Sequence, residues 1–254
     1  MVSHLERNNG VFYINEPQEN FSSAYIEVRK KEQRIYEDNI VSKLPNVTKT
    51  HRYYHEWKLR QQSTKRIISY LERKKQTLKI LDLGCGNGWF SNQLSLIPNS
   101  EVFAVDLNQL ELEQAVRIFD KQNLYFIYAD IFSSQAKILE GFDIVTVNSC
   151  IQYFSDLEVI VDVLTQKLTA RGELHIIDSP FYDRTKVIAA KNRTTTYYRE
   201  IGVPEMIDHY FHHSLSTIKE KSFEIVYQPK FSIFNKLIRK RENPFYWIKI
   251  LKSA

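Results

Sequence analysis

The chain has 254 residues, 43% of them apolar and 26% charged, with a net charge of +5. That suits one α/β domain with additions, and the composition is ordinary for a globular protein. No apolar run approaches the ~20 residues that cross a bilayer. The opening "MVSHLERNNG" has no apolar h-region of a secretory signal, and the only cysteines, Cys85 and Cys150, make no disulfide framework. The expectation is a cytoplasmic enzyme or binding protein. Basic residues gather in "VRKKEQR" and "NKLIRKREN". Such runs read first as solvated faces and second as nucleic-acid or anionic-membrane surfaces.

Taken in order, residues 1–76 hold an irregular start, a charged stretch, and "HRYYHEWKLRQQSTKRIISYLERKK", which has the pattern of a long amphipathic helix. From residue 77 short apolar runs alternate with helical patterns. "LKILDLG", "EVFAVDL", "LYFIYAD", "FDIVTVNSC" and "GELHIIDSP" read as five strands. Helices fall in "WFSNQLSLI", "QLELEQAVRIF" and "DLEVIVDVLTQKL", the last opened by Ser155 with Glu158 placed for a capping box. Near-continuous apolar strands separated by helices argue for a doubly wound, mostly parallel sheet covered on both faces. Residues 179–222 form a long insert after the fifth strand. "FEIVYQPK" and "PFYWIKIL" then read as two more strands that pair antiparallel at the sheet edge. The tail "FYWIKILK" also has the look of an interfacial anchor, but its β-branched and aromatic content fits a strand better.

The chemistry gathers at "LDLGCGNGWF", a Gly-rich turn directly after a strand, where a ligand lies against bare backbone. The dinucleotide fingerprint G-x-G-x-x-G fails because Trp89 stands at the sixth position, and no G-K-[ST] follows to make a P-loop. Asp82, Asp106 and Asp130 at successive strand ends would repel a pyrophosphate and welcome a ribose, an adenine and cationic groups.

"LDLGCGNG", followed in register by "VFAVDLN", "YAD" and "VNSCIQYF", resembles motif I and the strand ends of the class I S-adenosylmethionine-dependent methyltransferases. The resemblance spans roughly residues 77–180 and implies a seven-stranded sheet whose last strand is antiparallel. It implies a cofactor site built from Asp82, Gly84, Cys85, Gly86, Asn87 and Gly88, with Asp106 and Leu107 at the ribose. Asp130 and Ile131 fall at the adenine, and Asn148 and Ser149 where the fourth strand meets the transferred methyl. A carboxylate accepting from both hydroxyls of a vicinal diol suits Asp106 to the ribose. Related enzymes cover the cofactor with an N-terminal helix. Trp57 and Arg60 in "HEWKLR" are the expected contacts here, Arg60 for the methionyl carboxylate. The expected organisation is a helical extension, 1–76, over the cofactor site, and a catalytic domain, 77–254, with 179–222 as a helical lid that selects the acceptor.

Methyl transfer to oxygen asks for a base of near-neutral pKa. His212 and His213, read as about 100° apart on a helix, are the candidates, with His212 slightly favoured. Tyr153 is placed to touch the reacting centre. His209, His212 and His213 beside Asp208 also have the makings of a metal cluster, but adjacent helical histidines point apart, and no metal is expected. Tyr182, Tyr197, Tyr198, Tyr210 and Phe211 offer an aromatic acceptor pocket. The "[DN]PP[YF]" signature of amino methylation is replaced by "NSCI". The expected reaction is therefore methylation of a small or medium-sized molecule, at oxygen. An RNA or protein methyltransferase using the basic faces, and a cofactor-binding protein without transfer activity, stay open as alternatives.

Overall fold

The computed structural model describes residues 2–17, 20–219, 221–229 and 242–252. A short hairpin, β1 (Glu6–Asn8) and β2 (Val11–Tyr13), is followed by helices α1 (Asn20–Lys31), α2 (Asp38–Val41) and α3 (Tyr54–Glu72). The alternating region gives β3 (Leu78–Leu83), α4 (Trp89–Leu94), β4 (Ser100–Asp106), α5 (Gln109–Ile118) and β5 (Leu124–Tyr128). It continues with β6 (Phe142–Asn148), α6 (Leu157–Gln166) and β7 (Leu168–Ser179). The insert supplies α7 (Arg184–Glu200), and β8 (Phe223–Tyr227) and β9 (Tyr246–Leu251) complete the sheet.

The strands lie in the order β1-β2-β5-β4-β3-β6-β7-β9-β8. Strands β3 to β7 are mutually parallel, and β9 runs antiparallel to both β7 and β8. Successive residues of β3 face opposite sides: Ile80 enters one apolar core and Leu81 the other, and both are fully buried. At ~25 cal/mol per Å² of apolar surface, such strands are what holds the sheet between its helical layers.

Two expectations need correcting. The sheet has nine strands rather than seven, because the irregular start forms a hairpin about Gly10 (φ +83°) whose second strand pairs parallel to β5. Three-residue strands are too short to show a period. The cap of α6 is Asp156 rather than Ser155: its carboxylate accepts the Glu158 and Val159 N–H at 2.9 and 3.1 Å. Among the described residues no helix is long and apolar enough to cross a membrane. Residues 235–241 of the basic run "NKLIRKREN", with the suggestion of membrane-surface contact attached to it, lie outside the described residues.

Candidate functional site

Because β3 to β7 are parallel, their carboxyl ends share one edge. The chain order reverses between β3 and β6, the place where open α/β sheets bind ligands. The Gly-rich loop sits there. Gly84 (φ +73°) donates to the Val105 carbonyl at 2.8 Å, and a Cβ on it would stand 2.3 Å from Cys150 Sγ. Only glycine admits this approach of the β3 and β6 ends. Gly86 (φ +51°) donates to Asp106 Oδ2 at 2.7 Å, while Asp106 Oδ1 accepts from Asn108 N–H at 2.8 Å. A backbone bond from Leu107 also reaches the carboxylate, which still leaves it acceptor capacity for a ligand hydroxyl. Burial pushes its pKa up against those backbone bonds. Cys85 and Asn87 are buried within the loop, and Gly88 caps α4 in a left-handed conformation. Half-buried Leu107 follows Asp106.

Asp82 lies among hydroxyls behind the loop. It is almost fully buried, accepts from Ser91 Oγ at 2.6 Å and Thr146 Oγ1 at 2.8 Å, and burial raises its pKa to about 7. Its work is to tie α4 and β6 to β3. Asp130 stands just past β5, accepting the Phe132 N–H at 2.9 Å, with Ile131 buried beside it. The Asp130 N–H donates to Asn15 Oδ1 at 3.0 Å. Asn15 follows the hairpin that the sequence did not reveal.

At the ends of β6 and β7, Ser149 (φ +58°) and Asp178 (φ +51°) hold left-handed conformations unusual outside glycine. Ser149 Oγ donates to the Asp178 carbonyl at 2.9 Å, and Arg60 donates to Ser149 Oγ at 2.7 Å. The Asp178 carboxylate is held by Ser63 Oγ at 2.6 Å and by Asn243. Glu56 pairs with Arg60 at 3.1 Å and with Arg34 at 2.6 Å, and the arginines hold its pKa down to about 2 against burial. Trp57 is buried edge-on to Trp89, ring centres 5.3 Å apart. Thus α3 brings Arg60 to the reversal point, while Trp57 packs into the core over α4.

Two acceptors at this edge, Asn148 Oδ1 and Gln152 Oε1, are buried without a hydrogen-bond partner among the described residues. With Asp106 and the glycine cradle they form a set rich in acceptors and bare backbone. That fits a ligand carrying a diol and an ammonium group, as S-adenosylmethionine does.

Tyr153 lies in the short turn Ile151–Tyr153 after β6, edge-on to Tyr25 of α1 and to Tyr210, with ring centres 5.6 and 5.9 Å apart. Burial raises its pKa to about 12. The histidines depart from expectation. They follow the 3₁₀ turn Pro204–His209 rather than lying on a helix, and His213 sits in an isolated bridge, so the helical spacing does not apply to them. His213 is buried, pairs alongside Phe181, and bonds the Ile151 carbonyl through Nε2 at 3.1 Å. His212 is half-buried, bonds Thr194 Oγ1 at 2.9 Å and lies against Tyr182 and Tyr210. Burial lowers both pKa values, so both rings are neutral near pH 7. The aromatics Tyr198 and Tyr210 pack with Val28 and Tyr25 of α1, so the insert and α1 meet over the β6 end.

Tyr25, Arg29 and Glu111 were not singled out by sequence. Glu111 reaches Gly86 and is bonded by Tyr25, and Arg29 lies in its field. A cavity of about 230 Å³ lined by Phe12, Phe119, Lys121 and Phe126 opens at the amino end of β5, the opposite edge of the sheet, away from all of these residues.

Comparison with known proteins gives the family and the fold. A family model described as "Methyltransferase domain" matches residues 74–225. A malonyl-[acyl-carrier protein] O-methyltransferase of Acetivibrio thermocellus is 34% identical over 101 residues, 39% of this chain and 35% of that protein. The Bacillus anthracis enzyme of the same name is 29% identical over 112 residues, 42% of this chain and 41% of that protein. The chain thus spans well under half the length of these curated relatives. Among solved structures, magnesium protoporphyrin IX methyltransferase of Synechocystis PCC 6803 with bound S-adenosylhomocysteine superposes with a TM-score of 0.54. It is 14% identical, covering 90% of this chain and 93% of that one. A plantazolicin methyltransferase, in complex with a triazolic desmethylPZN analog and S-adenosylhomocysteine, gives 0.53 at 17% identity, over 92% and 95%. These structural likenesses speak for the fold.

Proposed function

The chain belongs to the methyltransferase-domain family and is an S-adenosylmethionine-dependent enzyme, and from that premise we propose that it methylates an oxygen of a small or medium-sized acceptor held between α1 and the insert 179–222. The observation that carries this reading is the meeting of α1, Tyr153 and the insert aromatics over the carboxyl end of β6. A lid starting at the end of β7 begins on the same edge as Gly84, Asp106 and Asp130. The curated relatives act, by name, on malonyl-[acyl-carrier protein] at oxygen.

In this reading residues 1–76 and the insert cover a catalytic domain, 77–254. The bound cofactor supplies an electrophilic methyl group on a sulfonium. Gly84 and Gly86 give it bare backbone, Asp106 receives the ribose hydroxyls, and Asp130 with Ile131 borders the adenine. Asn148, Ser149 and Arg60 face the methionyl end. The protein's contribution to rate is alignment of the nucleophile, since in-line displacement depends on near-attack geometry. Tyr153 lines the reacting centre as a protonated donor. Where the acceptor is a hydroxyl, His212 is the base, since its Nε2 partner is the side-chain hydroxyl of Thr194, whereas His213 spends its Nε2 on the Ile151 backbone carbonyl. We place the enzyme in the cytoplasm, where two unpaired cysteines persist as thiols.

The test is methyl transfer from S-adenosylmethionine labelled in the methyl group to a metabolite extract. The expected product is a labelled small molecule, with O-methyl linkage read from its fragmentation. Label found only in RNA or protein would discard the proposed acceptor class while leaving the enzyme a methyltransferase.

A further inference from the structure

α1 was read from sequence as part of a charge run, yet it turns one cation inward. Lys30 and Lys31 face solvent beside Glu27. Arg29 instead lies over the Tyr25 ring, 5.8 Å from its centre, in the field of Glu111, Tyr153 and Tyr36. Its Nε is buried without a hydrogen-bond partner, and it makes no ion pair among the described residues. Burial pushes the Glu111 carboxyl up to about 7, and Tyr25 donates to it. A guanidinium N–H left unmet in such surroundings is unfavourable unless a ligand completes it.

Position identifies the ligand. Arg29 lies in the field both of Glu111, beside the glycine loop, and of Tyr153, at the β6 end. Tyr153 continues through Tyr210 to Tyr198, a collar of phenols that burial keeps protonated. An arginine with neutral hydroxyl donors around it is built for a carboxylate. We propose that Arg29 is the carboxylate receptor of the acceptor subsite, and that the acceptor is a carboxylic acid methylated on its carboxylate oxygen. This rests on the oxygen-methylating reading above and names its substrate class. A lone pair on the carboxylate oxygen forms the O–CH₃ bond as the S–CH₃ bond breaks, its electron pair staying on sulfur. The products are a methyl ester and a neutral thioether. No proton moves, so no base is required, consistent with two histidines already engaged in hydrogen bonds. The ester no longer pairs with Arg29, which favours its release.

The experiment follows the Arg29 Nε–H resonance in arginine-¹⁵N-labelled protein, assigned by its loss in Arg29→Lys or Arg29→Gln. The protein is first saturated with S-adenosylhomocysteine, with calorimetry confirming occupancy. It is then titrated with monomethyl malonate and, separately, with the matching amide, methyl malonamate. The acid is expected to shift the resonance saturably downfield, and the amide to leave it nearly in place. A resonance indifferent to the acid overturns the proposal. So does one that makes its full shift on S-adenosylhomocysteine alone and not on the decarboxylated analogue, since the cofactor's own carboxylate would then be its partner. Failure of S-adenosylhomocysteine to bind at all would instead strike at the cofactor assignment.

Discussion

Asp82 is a buried acid that the fold holds at a cost, and that cost depends on pH. Replacing it by Asn keeps its shape and lets Ser91 and Thr146 rotate their hydroxyls to satisfy the amide. In the wild type the folded-state pKa of about 7 lies above the ordinary 3.8, chiefly through burial. A raised pKa means that the folded state binds the proton more tightly. Its stabilising effect is complete below pH 3.8 and is lost as pH rises through 7. At ~1.4 kcal/mol per pH unit, ionisation costs the wild type ~3 kcal/mol between pH 5 and pH 8. Asp82→Asn lacks this slope. The stability difference, variant minus wild type, is expected to rise in the variant's favour by ~3 kcal/mol across that range. Urea unfolding of both proteins at pH 5, 6, 7 and 8 measures it, and the other titrating groups cancel in the difference. Parallel stability curves for the two proteins would refute the buried, protonated Asp82.

The Gly84→Ala variant combines left-handed backbone with a Cβ 2.3 Å from Cys150 Sγ; it is expected to lose ~1–3 kcal/mol in denaturant unfolding, and Cys150→Ala in the same chain should restore only part, because the backbone strain remains. Arg60→Lys loses the planar fork that spans Glu56 and Ser149, and a roughly tenfold weaker S-adenosylhomocysteine affinity is expected by calorimetry; unchanged affinity would leave α3 a packing element. His213→Ala should destabilise the fold, removing the bond to Ile151. His212→Ala should spare stability and, with a carboxylic-acid acceptor, leave kcat within a few-fold; a collapse in kcat would restore His212 as a base.

The parallel sheet was legible because its strands are nearly continuous apolar runs, and Gly84, Asp106 and Asp130 could be set on one edge once those strands were recognised. The N-terminal hairpin was not, since Glu6–Asn8 is wholly exposed and only Val11 of β2 is fully buried. The histidines were misread because "MIDHYFHHSL" carries no breaker between the turn and the extended stretch. Pro204 opens the 3₁₀ turn, and the bond from the Phe211 N–H to the Gln152 carbonyl at 2.7 Å then holds the chain extended. Such a contact is tertiary, and no local pattern announces it. For the same reason "VRKKEQR" concealed two inward residues. Arg29 and Arg34 look like Lys30 and Lys31 in sequence, and only Glu56, 22 residues beyond Arg34, and the Tyr25, Tyr36, Tyr153 and Glu111 side chains around Arg29 separate them.

The central claim is that the edge formed by Gly84, Gly86 and Asp106 binds S-adenosylmethionine through its ribose. Calorimetric titration of the wild type and of Asp106→Ala with S-adenosylhomocysteine, each checked for folding by circular dichroism, tests it most directly. The account predicts saturable binding by the wild type and a loss of ~1–3 kcal/mol in the variant, the worth of hydrogen bonds to a charged group. Equal affinity in a folded Asp106→Ala protein would contradict it.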